Sequence, residues 1–503
     1  MDRGDEAWAD AIVTFLALAV GKRAQVGSAQ SRWKLDSRSG TGKAEGAFAR
    51  PDLPMTWDFP EAALLDDGAG NWLQCVKTML DSFQLIPHGD GKVRLSDARV
   101  ARSDGPTLVA TDPPYFDAIG YADLSDFFYL WHRRILRDVH PDLYATIATP
   151  KAQELTALPG RYEGDRTVAR NYFVEGFTRT FKNLKESAGD LPIVIVYASK
   201  EQKGGVDEES RWASILNAMI AADLEITGTW PIHGTGSTRM RGQGSNAVAT
   251  YIAMVCRPRA QTASTCSLAE FSRALRRELG SAVRDLQAAS ILPIDLAQAA
   301  MGPGMQIYSR YRAVLDQSGD RVPVDHALRL INSALGEVLD EQEGELDAES
   351  RFAVRWWETY GWEAGAFGEA DKTARPLGIS VEGDVVRAQV ATSQANRVQL
   401  LGRAALDRSW TPSKDIRPTA WEAVHHLADR LIDGGGELAA ARLMGAMGSL
   451  QDSANSLVYR LHDIAAKKGR AGDQERYNAL INSWAELVKL GSDGDAASMD
   501  GLF

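Results

Sequence analysis

The sequence Thr107-Leu108-Val109-Ala110-Thr111-Asp112-Pro113-Pro114-Tyr115 decides the fold class. Its first four residues form a short apolar run of the kind found in buried strands, and the tetrapeptide Asp112–Tyr115 follows almost directly. In an open α/β sheet, ligands bind beyond the carboxyl ends of the strands. The sequence therefore predicts a strand over 107–110 with a functional tetrapeptide at its end. A plain turn with two prolines is the alternative.

The segment from Lys92 to Pro258 alternates short apolar runs with helical patterns. Such alternation is typical of a doubly wound α/β sheet. The last two strand candidates are joined without a helix, which predicts an antiparallel pair at one edge of the sheet. The remaining strand candidates cover 93–95, 191–198, 224–232 and 247–256, and the helices cover 172–185 and 212–222.

Composition divides the chain into three regions. Residues 1–87 are predicted to be a helical and irregular N-terminal segment, with helix over 1–30. Residues 88–262 carry the sheet and the tetrapeptide, and residues 263–503 form a mostly α-helical C-terminal domain. Residues 381–401 have the pattern of a small β-hairpin; after two helices, this resembles a winged helix, and a purely structural hairpin is the alternative. The helices predicted in the C-terminal domain include 271–286, 324–339, 419–432 and 475–490.

The bulk composition limits the class of protein. The 503 residues are 44% hydrophobic and 24% charged with a net charge of −11, which argues against a general coating of nucleic acid but allows a local basic cleft. Cys75, Cys256 and Cys266 form no CxxC pair, so neither a zinc ribbon nor a disulfide framework is encoded, and a cytoplasmic location is expected. The apolar stretch 7–21 is interrupted by Asp10 and preceded by acidic residues. It therefore predicts a core helix rather than a signal peptide or a membrane span.

The tetrapeptide has the groups needed to methylate an exocyclic amine. The lone pair of such an amine is delocalised into its base, and acceptors for the two N–H groups free it for attack. The Asp112 carboxylate and the Pro113 carbonyl can accept these two hydrogen bonds, while Pro113 and Pro114 stiffen the turn because each fixes φ. Tyr115 offers an aromatic face for an extruded base, and stacking of this kind contributes roughly 1–3 kcal/mol.

The run TDPPYFDAIGYADLSDFFYLWHRR, residues 111–134, resembles the large adenine-specific DNA methylases, some of which carry a zinc ribbon. The resemblance continues at Thr149-Pro150-Lys151 and Glu154, then at Trp230-Pro231-Ile232 and over residues 255–259. It extends to the C-terminal region at "GPGMQIYSRYRAVLDQSGDRVPVDHAL" (302–328) and "YNALINSWAEL" (477–487).

This resemblance implies a Rossmann-like methyltransferase sheet that uses S-adenosyl-L-methionine. Asp112, Pro113, Pro114 and Tyr115 would form its catalytic motif, and a motif that begins with Asp favours adenine over cytosine. Asp97 lies where such enzymes place an acidic residue after the third strand, so it would bind the cofactor's adenine; a strand-end cap is the alternative. A role in restriction or phage defence follows from the family alone.

Two features of the family are missing from this sequence. No Gly-rich cofactor loop precedes the motif: the nearest string, Asp67-Gly68-Ala69-Gly70, follows no strand candidate, and Gly434–Gly436 has the pattern of a helix C-cap. The zinc-ribbon cysteines are also absent. The chain therefore resembles the C-terminal two-thirds of the usual protein, with a partial sheet that lacks its first two strands. A companion chain carrying the Gly-rich loop is the expected partner.

Arginines near the motif are the candidates for DNA binding. Arg133 and Arg134, with Arg137, could line a groove, as could the group at 161, 166 and 170; a solvated helix face is the alternative. Arg239 and Arg241 lie in the Gly-rich loop 233–246, where arginines can bind phosphate; a simple hairpin connection is the alternative.

Three functions remain open from the sequence. The first is a DNA adenine methyltransferase, alone or as part of a split enzyme. The second is a non-catalytic DNA-binding or assembly subunit that has lost cofactor binding. The third is an RNA methyltransferase, because the same tetrapeptide also serves amines in RNA.

Overall fold

A computed structural model gives the fold of most of the chain. The chain divides into two compact units. The first contains residues 1–104 and 114–183, and the second contains residues 105–113 and 184–503. The described residues are 3–35, 42–48, 53, 55–61, 63–65, 70–83, 91, 93–103, 105–117, 119–197, 208–233 and 250–499.

The first unit is built mainly from helices. Helices α1 (Arg3–Val26) and α2 (Trp72–Phe83) pack together through Phe15 and Phe83, whose ring centroids lie 4.5 Å apart. A two-stranded antiparallel ribbon, β1 (Arg32–Leu35) with β2 (Gly42–Glu45), lies between them in the sequence. The helix predicted over 1–30 is found at Arg3–Val26, whereas α2 and the ribbon were not predicted.

The strand predicted at 93–95 is wrong. Residues 93–97 form no strand, and the Val93 side chain is fully exposed, so the apolar character of this run does not reflect burial. The first strand near the motif is therefore β3 (Val109–Thr111), which belongs to the second unit. After β3 the chain enters the first unit, where it forms α3 (Tyr121–Leu136) and most of α4 (Arg166–Ala188).

The second unit contains a mixed sheet of four described strands in the order β3-β4-β6-β5. Strand β4 (Ile193–Tyr197) pairs parallel with β3, and β6 (Thr250–Pro258) runs antiparallel between β4 and β5 (Leu224–His233). The antiparallel pair predicted at one edge is thus confirmed. Ile193, Ile195 and Tyr197 of β4 are buried, as alternation along a half-covered strand requires.

Helix α5 (Glu208–Ala221) contributes to the core of this sheet. Trp212 is 2% exposed, and its ring centroid lies 5.1 Å from that of Tyr197 in an edge-to-face arrangement. The predicted helix over 212–222 is therefore confirmed as part of α5, and its Trp212 contacts Tyr197 of β4.

The rest of the second unit is mostly helical, as predicted. Small strands interrupt it: β7 (Thr265–Ser267) pairs parallel with β8 (Ala313–Leu315), and β9 (Gly365–Ala366), β10 (Ala391–Gln394) and β11 (Arg397–Leu400) form a sheet in the order β10-β11-β9. The helices are α6 (Leu268–Ala288), α7 (Pro293–Ser309), α8 (Val324–Gly344), α9 (Ala348–Tyr360), α10 (Phe367–Ala374), α11 (Ala420–Ile432), α12 (Gly436–Gly445), α13 (Leu450–Lys467) and α14 (Ala471–Met499).

The hairpin predicted over 381–401 is shorter than expected. Its strands are β10 and β11, joined by Ala395 and Asn396, which both have positive φ as a two-residue type I′ turn requires. Residues Val381–Val386 form a short helical segment instead of a strand, and the Ser380 side chain accepts a hydrogen bond from the Gly383 N–H at its start.

Helix α7 packs closely on the edge strand β5. A Cβ added at Gly302 would lie 2.6 Å from Thr229 Oγ1, so the helix approaches the strand more closely than any side chain allows. Strand β5 has a bulge between Ile226 and Gly228, and α7 binds the backbone there: Ile226 N donates to Ser309 Oγ at 2.9 Å, and Gln306 Nε2 donates to Thr227 O at 3.1 Å. The segment 302–309 thus attaches the helical region to the sheet.

Two other helices of this unit meet through their backbones. A Cβ on Gly445 of α12 would lie 2.9 Å from Gly491 O of α14, and a Cβ on Gly491 would lie 2.8 Å from Ala441 O. Glycine at both positions allows this approach.

None of the helices in the described ranges is long and apolar enough to cross a membrane. Helix α1 has the required length, but its first turn contains Asp5 and Glu6.

We expect Gly302→Ala to destabilise the protein by about 1–3 kcal/mol, because the added methyl group forces α7 away from β5. Gly336→Ala is the matched control: Gly336 lies within α8 with open space around it, so alanine should be neutral or stabilising by about 0.5–1 kcal/mol. The midpoints of urea unfolding compare the two variants. Equal midpoints would show that α7 does not depend on this close approach.

Candidate functional site

Asp112 follows β3 directly, at the carboxyl end of a parallel strand. The pairing of Thr111 with Ile195 fixes the end of this strand against the buried strand β4. Asp112 is exposed, whereas Pro113 is buried. The first half of the motif thus consists of an exposed aspartate and a buried proline on an anchored backbone.

The division between the two units falls inside the motif, between Pro113 and Pro114. On the other side, Tyr115 is half-buried and Phe116 is 4% exposed. Phe116 has a φ of 30°, a value that bulky residues seldom adopt and that costs about 1–3 kcal/mol.

Two contacts within the first unit hold Phe116 in this conformation. Its ring centroid lies 5.1 Å from that of Phe173 in α4, and its carbonyl accepts a hydrogen bond of 2.9 Å from Ala157 N. Strained backbone of this kind is concentrated at functional sites, where the surrounding structure maintains it. No local sequence pattern predicts this conformation, because an aromatic residue is not a turn former.

Asp126 in α3 organises the segment that contains Thr149 and Lys151, which belong to the resemblance described above. Lys151 Nζ lies 2.5 Å from Asp126 Oδ2, and the Thr149 N–H and hydroxyl donate to Asp126 Oδ1 at 2.9 and 2.6 Å. Burial alone would raise the pKa of Asp126, but the hydrogen bonds from Lys151 and Thr149 outweigh it and lower this pKa to about 2. These residues therefore hold the segment onto α3.

Glu154 makes a second link to the same helix. Its Oε1 accepts a hydrogen bond from Ala122 N at 3.2 Å in the first turn of α3, where a carboxylate also stabilises the helix dipole. Arg161 joins Glu154 at 2.6 Å and Asp123 at 2.8 Å. Arg161, predicted as a groove residue, is therefore engaged in ion pairs within the first unit.

Asp97 has a different environment from the one predicted. It follows no strand, and both of its carboxylate oxygens bind the Arg99 guanidinium, with Arg99 Nη2 at 2.6 Å from Oδ2. This side-chain hydrogen bonding lowers the pKa of Asp97. Asn183 of α4 holds the adjoining turn by donating to Ala98 O at 3.1 Å. The alternative of a strand-end cap does not hold either, because no strand precedes Asp97 in residues 93–97. Its carboxylate binds Arg99 within the same turn, and its binding to a cofactor stays a prediction.

The predicted DNA-binding arginines differ in their surroundings. Arg133 Nε donates to Thr146 O at 2.8 Å and is half-buried, whereas Arg134 is exposed on α3. Arg239 and Arg241 lie outside the described residues. Trp230 and Ile232, from the Trp-Pro-Ile sequence, are 57% and 44% exposed on the edge strand β5.

The sequence analysis missed a buried polar cluster in the C-terminal region, formed by Trp421, Glu422, His425, His426 and Tyr477. His425 is fully satisfied: Nδ1 donates to Trp421 O at 2.7 Å, and Nε2 accepts from the Tyr477 hydroxyl at 3.2 Å. Burial lowers the pKa of His425 to about 3 and that of His426 to about 4, so both are neutral at pH 7. The adjacent histidines in the sequence were the available signal.

Glu422 closes the N-terminus of α11. It accepts hydrogen bonds from Thr419 N at 3.2 Å and from Thr419 Oγ1 at 2.8 Å, which completes a capping box. Burial outweighs these bonds and raises the pKa of Glu422 to about 8. The carboxyl group is therefore largely protonated at neutral pH.

Residues 347–500 match the model of a domain family of unknown function, DUF8807. The match covers less than half of the chain and lies entirely in the second unit, from the N-cap of α9 through the end of α14. It includes the buried cluster at His425 and excludes the Asp112 motif. No curated protein and no solved structure matches the chain.

The raised pKa of Glu422 predicts a pH-dependent effect of Glu422→Gln. In the folded protein this carboxyl has a pKa of about 8, whereas its ordinary pKa in the unfolded chain is 4.5. The unfolded chain therefore releases this proton at a lower pH than the folded protein does. The free energy of unfolding of the native protein falls as the pH rises between these two values. Glutamine keeps the cap without a charge. We therefore expect the free energy of unfolding of the variant, relative to that of the native protein, to increase from pH 5 to pH 8.

Urea unfolding at several pH values measures this difference. Glu437→Gln, an exposed change in the first turn of α12, is the control and should give a constant difference. If the difference in unfolding free energy between Glu422→Gln and the native protein is constant from pH 5 to pH 8, the raised pKa of Glu422 is contradicted.

Proposed function

We propose that this chain is the catalytic part of an S-adenosyl-L-methionine-dependent methyltransferase that modifies the exocyclic amine of adenine in DNA. The observation that carries the proposal is the exposed Asp112 at the carboxyl end of a parallel strand, followed by two prolines and a tyrosine. A setting in restriction or phage defence belongs to the same proposal.

The strand order adds support. In the sheet β3-β4-β6-β5, strands β3, β4 and β5 run in the same direction, and β6 runs antiparallel between β4 and β5. The motif follows β3. This is the arrangement expected for the second half of a Rossmann-like methyltransferase sheet. Ligands bind beyond the carboxyl ends of strands in such sheets.

The motif residues act on the base. The Asp112 carboxylate accepts one N–H of the amine and the Pro113 carbonyl accepts the other, which frees the nitrogen lone pair for attack. The proton released on transfer passes to solvent beside the exposed Asp112. Tyr115 stacks on the extruded base and offsets part of the cost of unstacking. S-adenosyl-L-methionine, when bound, supplies the methyl group.

The described residues fit the base better than they fit the cofactor. Asp97 is occupied by Arg99 and follows no strand, so the contact predicted for the cofactor's adenine lacks the expected framework. The Gly-rich loop that surrounds the methionine end in the resembling family is missing from the sequence. We therefore include in the proposal a companion chain that provides these contacts.

The same observation at Asp97 favours a second candidate, a non-catalytic DNA-binding or assembly subunit. Residues 348–400 add to it: their order of helix, strand, helix, short helical segment and hairpin supports the winged-helix interpretation. Methyl transfer to DNA with and without a companion chain separates the two candidates. An adenine-containing RNA in the same assay tests the third.

Asp112→Ala should reduce methyl transfer to adenine-containing DNA at least about a hundredfold, because the amine loses its acceptor. Asp138→Ala removes an exposed aspartate beyond the end of α3 and is the matched control. Transfer of tritiated methyl groups by the chain, with its companion where one is required, measures both variants. Thermal unfolding should be unchanged, since exposed positions seldom contribute more than about 0.5 kcal/mol. Retained activity in Asp112→Ala would refute the mechanism.

Tyr115 provides a test of stacking. Tyr115→Ala should cost roughly 1–3 kcal/mol in transition-state stabilisation, whereas Tyr115→Phe should keep most of the activity because the ring remains. The ratio kcat/KM on a DNA duplex measures the loss. If phenylalanine is as harmful as alanine, the hydroxyl rather than the ring face is required.

Cofactor binding tests the need for a companion. We expect the chain alone to bind S-adenosyl-L-methionine weakly or not at all in calorimetry, because the donors for its charged methionine end are missing. Addition of the companion should restore binding. Micromolar affinity of the isolated chain, together with methylation of DNA by it, would show that this chain has a complete cofactor site.

A further inference from the structure

Segment 149–161 of the first unit holds the backbone that follows the motif. Ala157 is 2% exposed, and its N–H donates to Phe116 O at 2.9 Å. Leu155 packs against the bare backbone of α4, where a Cβ added at Gly176 would lie 2.4 Å from Leu155 Cδ2. The anchor of Phe116 therefore depends on the shape of the whole segment.

Arg161 joins the last turn of this segment to its beginning and to α3. Its Nη1 donates to Lys151 O at 3.1 Å and lies 2.6 Å from Glu154 Oε2, while its Nη2 donates to Asp123 Oδ2 at 2.8 Å. The side chains of Arg161 and Glu154 are only 19% and 10% exposed. A lysine cannot make these contacts together, because an ammonium group lacks the forked geometry of a guanidinium. Arg161 therefore fixes the path of the segment.

The positive φ of Phe116 sets the direction of Tyr115. Phe173 anchors the ring of Phe116 and Ala157 anchors its carbonyl, so rotation about the N–Cα bond of Phe116 moves the residue before it. A positive φ is unfavourable for a bulky residue and persists only while the surrounding structure maintains it. Loosening of the anchor at Ala157 would let Phe116 return to a negative φ and turn Tyr115 with it.

We propose that Arg161 is a positioning residue for the motif. It holds segment 149–161 in the shape that keeps Phe116 strained and Tyr115 in the orientation that receives the base. This role rests on the proposed function, from which it takes the stacking of the base on Tyr115. It differs from the prediction that Arg161 lines a DNA groove, because the guanidinium is engaged by groups of the protein.

Steady-state kinetics of methyl transfer to a DNA duplex, with the companion chain where one is required, tests this role. Arg161→Lys should lower kcat about tenfold to a hundredfold, because the base is correctly placed for a smaller fraction of the time. The affinity for DNA should stay within about threefold of the native value, and its salt dependence should be unchanged.

A direct contact of Arg161 with DNA would give a different result. Loss of a phosphate contact weakens DNA binding and reduces the slope of log affinity against log salt by about one, without a specific effect on kcat. That result, or a native kcat in Arg161→Lys, would overturn the proposal. Arg166→Lys is the matched control: Arg166 is exposed at the start of α4, so its kcat should be native.

Hydrogen exchange followed by mass spectrometry tests the same role without any reaction. The Ala157 amide is hydrogen-bonded in a buried segment, so it should exchange slowly in the native protein. In Arg161→Lys we expect this amide to exchange at least about tenfold faster, while the amides of α1 in the same unit keep their native rates. Native exchange at Ala157 in this variant would refute the positioning role alone. Absence of methyl transfer by the native protein with its companion would instead refute the proposed function.

Discussion

The parallel pairing of β3 with β4 is the constraint on which the candidate site depends. Strand β3 has only three residues, and its position is set by the buried strand β4, whose residues Ile193, Ile195 and Tyr197 belong to the core. This pairing positions Asp112 at the carboxyl ends of the two parallel strands. The backbone beyond the motif is held separately, through the strained Phe116 and its contacts with Phe173 and Ala157.

Helix α7 has an equivalent role at the opposite edge. Strand β5 carries a bulge between Ile226 and Gly228, and Ser309 and Gln306 of α7 form hydrogen bonds with its backbone there. Gly302 allows the helix to come close enough for these bonds. The segment 302–328, which resembles the methylases but suggested no chemistry, therefore has a structural explanation: its first part protects an irregular sheet edge and joins it to the helical region.

The sequence predicted elements whose signal is local. The run 191–198 is rich in β-branched residues and contains β4, and the helical pattern over 419–432 became α11. The strand predicted at 93–95 was wrong because Val93 is apolar yet exposed. The site was less predictable because its contacts join distant residues: Asp126 binds Thr149 and Lys151, and Arg99 occupies Asp97. A positive φ at Phe116 follows from tertiary packing, which no local pattern encodes.

The glycine pair between α12 and α14 has a consequence for sequence variation. Each helix leaves no room for a Cβ on the other, so a larger residue at Gly445 cannot be offset by any change at Gly491, which is already the smallest residue. Only a shift of a whole helix could accommodate it, and α14 also carries Tyr477, the partner of His425. A side chain added at either glycine would therefore also displace Tyr477 from His425, so the packing of these two helices and the buried histidine cluster depend on each other.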